Sequence, residues 1–262
     1  MFYWIYDYPT WAMGASFAVA FVAVTWLATF LARPTIRLWI HTEKRANDMV
    51  GLGLSSFSTF FGLMLGLLSV ASYQNYSNVN DLVDKEAASI AALYRDFSAY
   101  PEPIRGKLED RLREYARYAI EDGWPQQRRG VAPQGEVERI TALFETLSAF
   151  EPSKKSQEIL HGETLRQFNH LVEARRARVA NVTIGLPAVF WWVVAFGSLL
   201  NIVLIAILDM EAHVHVILGG VLAAFLGVVI YLIAELDNPF RGAVSIGPEA
   251  IELVYKTVMQ PR

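Results

Sequence analysis

Residues 51–73 read GLGLSSFSTFFGLMLGLLSVASY, and they carry no charged side chain. As a helix rising about 1.5 Å per residue, the segment is long enough to cross a hydrocarbon core of about 30 Å. Successive residues stand about 100° apart around such a helix. Gly51, Ser55, Ser58, Thr59, Gly62, Gly66, Ser69 and Tyr73 then form one small or weakly polar stripe, with Phe57, Phe60, Phe61, Met64, Leu67 and Leu68 on the other side. Lipid tails offer nothing to a hydroxyl or a bare glycine, so the small stripe faces protein or water. Two readings stay open. Gly62 and Gly66 form a GxxxG pair that lets helices approach closely; the same stripe could instead wall a polar pathway. Phe57 and Phe61 either face lipid or form an apolar ring that gates a pore by dewetting.

Outward from this segment, 53% of the 262 residues are hydrophobic and 19% are charged. The two populations are segregated, as in a membrane protein carrying a polar domain. Apolar runs free of Lys, Arg, Asp and Glu cover about 11–32, 50–71, 183–208 and 214–234, each of membrane-spanning length. The leader before the first run has Asp7 and no Lys or Arg, so this run is expected to remain as a transmembrane helix rather than a cleaved signal. Phe2, Tyr3, Trp4, Tyr6, Tyr8 and Trp11 suit an interfacial aromatic belt.

Between the two helix pairs lies a polar stretch, 74–182, that reads as helical. Pro101 and Pro103 break and restart it, Leu108, Leu112, Tyr115, Ala119 and Ile120 recur at helical spacing, and 123–135 reads as a loop. Val137, Ile140, Leu143, Phe144, Leu147 and Phe150 line one face of a further helix. No breaker separates the second span from the first helix of this stretch, and none precedes Pro187 on the way into the third span. The expected fold is all-α: a polytopic membrane protein with four transmembrane helices and an inserted extramembrane four-helix domain continuous with spans 2 and 3. The expected divisions are 1–73 (first pair), 74–182 (insert), 183–235 (second pair) and 236–262 (C-terminal tail).

The first loop carries Arg33, Arg37, Lys44 and Arg45, whereas the N-terminal tail has no basic residue. By the positive-inside rule that loop is cytoplasmic, and the insert and both termini face the periplasm. There is no cysteine, so disulfides, thiolate metal sites and cysteine nucleophiles are excluded. A net charge of −3 gives no argument for nucleic acid. His213 and His215 share a face only in an extended turn, and His41, His161 and His170 stand apart. No phosphate-cradling loop, nucleophile elbow or helical zinc motif occurs. No enzyme activity, cofactor or metal is expected. Asn201, the amide inside a span, is expected to bond across a helix interface. Glu235, Asp237 and Arg241 at the exit of the fourth span, with Asp84 beyond the second, are candidates for a charged vestibule.

Tyr73-Gln-Asn-Tyr76, Glu86-Ala-Ala-Ser89, Leu93-Tyr-Arg-Asp96, Tyr100-Pro-Glu-Pro103 and Leu112-Arg-Glu-Tyr115 resemble the bacterial bestrophin-like domain proteins. So do Gly123-Trp-Pro125, Arg175-Arg-Ala-Arg178, Gly185-Leu-Pro187 and Leu236-Asp-Asn-Pro-Phe-Arg-Gly242. The resemblance covers about residues 50–255. It implies a distant likeness to bestrophins, oligomeric anion channels with four spans per subunit and a large helical domain, which they hold in the cytosol. Their acidic calcium clasp has no counterpart here, so calcium gating is not part of the expectation.

The leading expectation is a homo-oligomeric ion channel of the bacterial inner membrane, in contact with lipid and conducting an inorganic ion along the small face of span 2. The alternative is a non-conducting sensor, scaffold or accessory subunit that binds a protein partner through the insert. Asp81, Asp84 and Glu86 around an axis would favour cations; Arg175 to Arg178 would favour anions. The residues alone leave that choice open.

Overall fold

The computed structural model describes residues 8–39 and 44–260, and the side chains of all of these except 33–39, 44 and 45. The aromatic residues Phe2, Tyr3, Trp4 and Tyr6, and His41, lie outside the described residues, as do the side chains of Arg33, Arg37, Lys44 and Arg45. The described chain is helical, with no strand: α1 (Thr10–Trp39), α2 (Lys44–Phe97), α3 (Ile104–Tyr118), a π-helical turn (Ala119–Gly123), α4 (Trp124–Arg128), α5 (Gly135–Ser148), α6 (Lys155–Ala180), α7 (Ala188–Ile207), α8 (Ala212–Leu236) and α9 (Glu249–Thr257). Four of these helices are long and apolar enough to cross a membrane: α1, α2, α7 and α8.

The chain divides into two compact units. The first holds residues 1–75, 185–237 and 242–244, and therefore the spans. Its closest helix contact joins α1 and α8. A Cβ at Gly227 would stand 2.7 Å from the Phe17 carbonyl oxygen, and one at Gly14 would touch the Tyr231 ring at 3.4 Å. Gly219 and Gly220 sit against Ile205 and Trp26, whose indole Nε1 donates to the Val216 carbonyl at 3.0 Å. The glycines of the fourth span thus serve close packing of backbones. A second apolar cluster joins Phe61, Leu65 and Leu68 of α2 to Val194 of α7 and Leu226, Ile230 and Ile233 of α8. Asn201 Nδ2 donates to Ser58 Oγ at 3.0 Å, the interhelical bond expected of a buried amide. At the other end of these helices, Asn47 exchanges two hydrogen bonds with the backbone of Asp209 (2.8 and 3.0 Å).

The second unit holds residues 76–184, 238–241 and 245–262. Val79, Val83, Ile90, Leu93 and Phe97 of α2 meet Leu108, Leu112 and Tyr115 of α3, Leu143 and Leu147 of α5, and Phe168 and Leu171 of α6 in one core. His161, isolated in sequence, meets the Tyr100 hydroxyl through Nδ1 at 2.9 Å.

Three expectations need correction. The insert is continuous with span 2 but not with span 3: α6 ends at Ala180 and α7 begins at Ala188. Pro187 initiates α7, and the Leu186 N–H donates to Asp237 Oδ1 at 2.5 Å while Gly185 packs against the same carboxylate. That acceptor comes from far along the chain and holds the segment out of helix. The segment expected as one loop, 123–135, begins with the end of the π turn and α4. The stretch expected as a tail after residue 236 joins the core of the second unit, burying Phe240, Ile246, Ile251 and Met259. Trp124 Nε1 donates to the Ile246 carbonyl at 3.0 Å, and Arg113 Nε to that of Met259 at 2.9 Å.

Candidate permeation face and the ionic core of the insert

The stripe on α2 divides. Gly51 lies near Leu208, Ser58 is bonded to Asn201, and Ser69 is half-buried with its hydroxyl on the Leu65 carbonyl. Ser55, Thr59, Gly62, Gly66 and Tyr73 are exposed. The Thr59 hydroxyl donates back to the Ser55 carbonyl at 2.8 Å, which quiets one polar group but leaves the face small and open. A Cβ placed on Gly62 or Gly66 would meet nothing within 4 Å. Among the described residues the GxxxG pair therefore packs against no other part of the chain, in contrast to the glycines of α8.

Phe57 and Phe61, the candidate gate, stack on each other with ring centroids 5.7 Å apart. Phe61 is buried and its ring fills the space a side chain at Gly197 would need. Phe61 is held in the interior of the bundle. The vestibule candidates differ in their surroundings. Glu235 is buried and accepts from the Tyr231 hydroxyl at 3.0 Å. Asp237 is buried against the Leu186 N–H; burial pushes its carboxyl up, with that N–H opposing. Arg241 belongs to the other unit, where Gly130, at φ 75°, makes room for its guanidinium. Asp84 alone of the four is exposed.

The insert contains a charged core that local sequence reading missed. Arg178 is fully buried and makes a two-pronged contact with Glu86, Nε to Oε2 at 2.6 Å and Nη2 to Oε1 at 3.1 Å. The same Nη2 reaches both oxygens of Glu136, at 3.1 and 2.9 Å, and Arg175 Nε meets Glu136 Oε2 at 2.8 Å. Tyr115 donates its hydroxyl to Glu86 Oε1 at 2.5 Å, and the Arg178 guanidinium lies over the Trp124 ring at 4.8 Å. Burial alone would push the Arg178 guanidinium down, but the Glu86 and Glu136 carboxylates hold it well above its ordinary value. Burial, then the same carboxylates, push the Tyr115 phenol well up, so it stays a donor. Two guanidiniums and two carboxylates cancel, and each side chain has an ionic partner, as buried charge requires, with Arg178 Nη1 alone among the guanidinium nitrogens of that residue left without a hydrogen bond.

The family profile described as Bestrophin-like domain matches residues 19–251. The chain belongs to the bestrophin-like family. Solved structures share its fold. A crystal structure of a bacterial bestrophin homolog from Klebsiella pneumoniae, carrying a point mutation, superposes with TM-score 0.66 at 13% identity, over 93% of this chain and 96% of that one. The same homolog, solved by Zn-SAD phasing, gives TM-score 0.64 at 14% identity over the same shares. A third, described as a membrane protein with a point mutation, gives 0.66 at 14%, again over 93% and 96%. Comparison with curated proteins yields no match. Family membership agrees with the reading of a membrane protein that is not an enzyme. In this bestrophin-like chain, Glu86, Tyr115, Trp124, Arg175 and Arg178 all fall within the short motifs that carry the family resemblance. That coincidence was the available signal for the ionic core.

Proposed function

We propose that the chain is one subunit of an oligomeric ion channel of the bacterial inner membrane, with the open small and polar face of α2 lining the pore. The observation that carries this reading is the emptiness beside Gly62 and Gly66, on a helix whose opposite side is packed into its own bundle. Ser55, Thr59 and the two glycines gain nothing from lipid; repeated around an axis, they would face one another or water. The basic residues of the first loop support a periplasmic insert, which an impermeant thiol label on intact cells carrying Asp110→Cys would test.

Purified protein in planar bilayers under a salt gradient tests the channel. Unitary currents that disappear, or an oligomer that dissociates, in Gly62→Leu would support the pore on α2. Normal assembly with normal flux in that variant would refute it. Exposed Val137 and Phe144 on α5 support the second reading, a non-conducting protein that docks a partner through the insert. A silent bilayer from an intact oligomer would favour it.

A further inference from the structure

Just beyond the end of α2, Tyr100 is buried, and its hydroxyl meets His161 Nδ1 of α6 at 2.9 Å across 61 residues of chain. Phe150, in the connection from α5 to α6, closes the group. Its ring centroid stands 4.9 Å from that of Tyr100 and 5.6 Å from that of His161, and the Tyr100 and His161 rings meet edge to face at 6.1 Å. One half-buried imidazole thus joins three segments of the insert. Burial pushes it below its ordinary value. The charged groups on those segments are paired, exposed or half-buried. On α6, Glu163 pairs with Arg166 at 2.9 Å, and Lys154, Lys155 and Glu158 at its start are exposed. Glu151 in the connection is exposed, and Glu102 after Tyr100 pairs with Arg105. Near the end of α2, Arg95 is exposed, and the half-buried Asp96 carboxyl is pushed up by burial and then by Glu163.

We propose that His161 is an acid-sensitive latch of the insert: its neutral ring holds the α5–α6 connection and the start of α6 against the end of α2, and protonation in mildly acidic surroundings releases them. The neutral ring is satisfied in either tautomer, since the Tyr100 hydroxyl can donate to a bare Nδ1 or accept from Nδ1–H. A second proton brings a charge between two aromatic rings, where among the described residues no carboxylate pairs with it. Because the closed state holds the proton less tightly, the open state takes it up first. The latch is therefore at full strength above about pH 6.5 and weakens as pH falls below that value. Asp96 works in the opposite sense: its raised carboxyl favours the closed state as pH falls. The latch lies within the insert and does not depend on the channel reading.

Hydrogen exchange of the intact protein in mild detergent reads the opening. After correction for the intrinsic effect of pH on exchange, amides of 150–160 should exchange about threefold or more faster at about pH 5.5 than at about pH 7.5. Those of 108–115, in the core of the insert, should not change. The step should vanish in His161→Gln, which keeps a partner for Tyr100 but takes no charge, and persist in Asp96→Asn. If His161→Gln does not fold, His161→Phe, which fills the same place with an apolar ring, serves instead. A wild type without the step, a step that survives loss of the imidazole, or one that disappears in Asp96→Asn would overturn the latch. The imidazole proton resonances give a second reading, with that of His161 assigned by its absence from the spectrum of the variant. Its titration midpoint should lie below about 6.5, and a midpoint at or above that value would overturn the latch as well.

Discussion

Replacing Arg178 by methionine leaves a side chain of similar reach but no charge, and strands the Glu86 carboxylate without a cation. Glu86 loses both prongs of its contact, at 2.6 and 3.1 Å, and Glu136 keeps Arg175 at 2.8 Å. Both side chains are fully buried, so solvent cannot replace the lost partner. Breaking a buried pair from one side costs about 3–5 kcal/mol, which for a protein of this size lowers Tm by about 10 °C. Thermal unfolding in mild detergent, followed by tryptophan fluorescence, would read the loss. Unpaired buried carboxylates bind protons more tightly in the folded than in the unfolded state, so the stability of the variant should rise as pH falls and the gap to wild type should narrow. Combining Arg178→Met with Glu86→Met removes both ends of the fork and should recover most of the loss, since an apolar replacement of a buried pair is often neutral. A wild-type Tm for Arg178→Met at neutral pH, or a gap that widens on acidification, would refute the account.

Two further substitutions separate packed from open glycines. Gly197→Ala forces the Phe61 ring aside and should destabilise by about 1–3 kcal/mol, whereas Gly62→Ala meets nothing within 4 Å among the described residues and should leave the melting of a detergent-dissociated subunit unchanged. Asn201→Ala removes the bond to Ser58 and should cost about 1 kcal/mol in the same melt. Asp237 is held above the ordinary carboxylate value by burial, against the Leu186 N–H. A raised folded-state value contributes stability at low pH that is lost as pH rises through it. Asp237→Asn, which still offers Leu186 an acceptor, should therefore melt higher than wild type near neutral pH and match it at about pH 4.

The four spans were legible because an apolar run of that length has few other uses, and the unbroken α2 was legible because nothing in it stops a helix. The end of α6 was not. No breaker marks residues 181–184, and the chain leaves the helix to present Leu186 and Gly185 to an aspartate at 237. The face of α5 was also misjudged at its start. Val137 fits the apolar stripe, yet the helix is turned so that Glu136 is buried and Val137 stands 47% exposed, because Arg175 and Arg178 claim the carboxylate. A single charge on an amphipathic helix reads as solvated surface. Partners as far apart in sequence as Glu86 and Arg178 lie beyond any local periodicity. On α2 the stripe was visible, but which of its members face inward depends on Asn201 and Leu208 from another span.

The π turn at Ala119–Gly123 has a consequence for counting. At about 100° per residue, an uninterrupted α-helix would place Trp124 about 180° from Tyr115, with the indole in solvent and the phenol in the core. The widened turn absorbs one residue and moves everything after it back by about one step, bringing Trp124 beneath the Arg178 guanidinium. Gly123 accompanies the shift: a Cβ there would stand 2.7 Å from Glu136 Oε1, an oxygen already held by Arg178. One surplus residue thus acts as a phase shifter between two stretches of helix. Shortening the turn by a single position would dismantle the charged core without altering any residue that belongs to it.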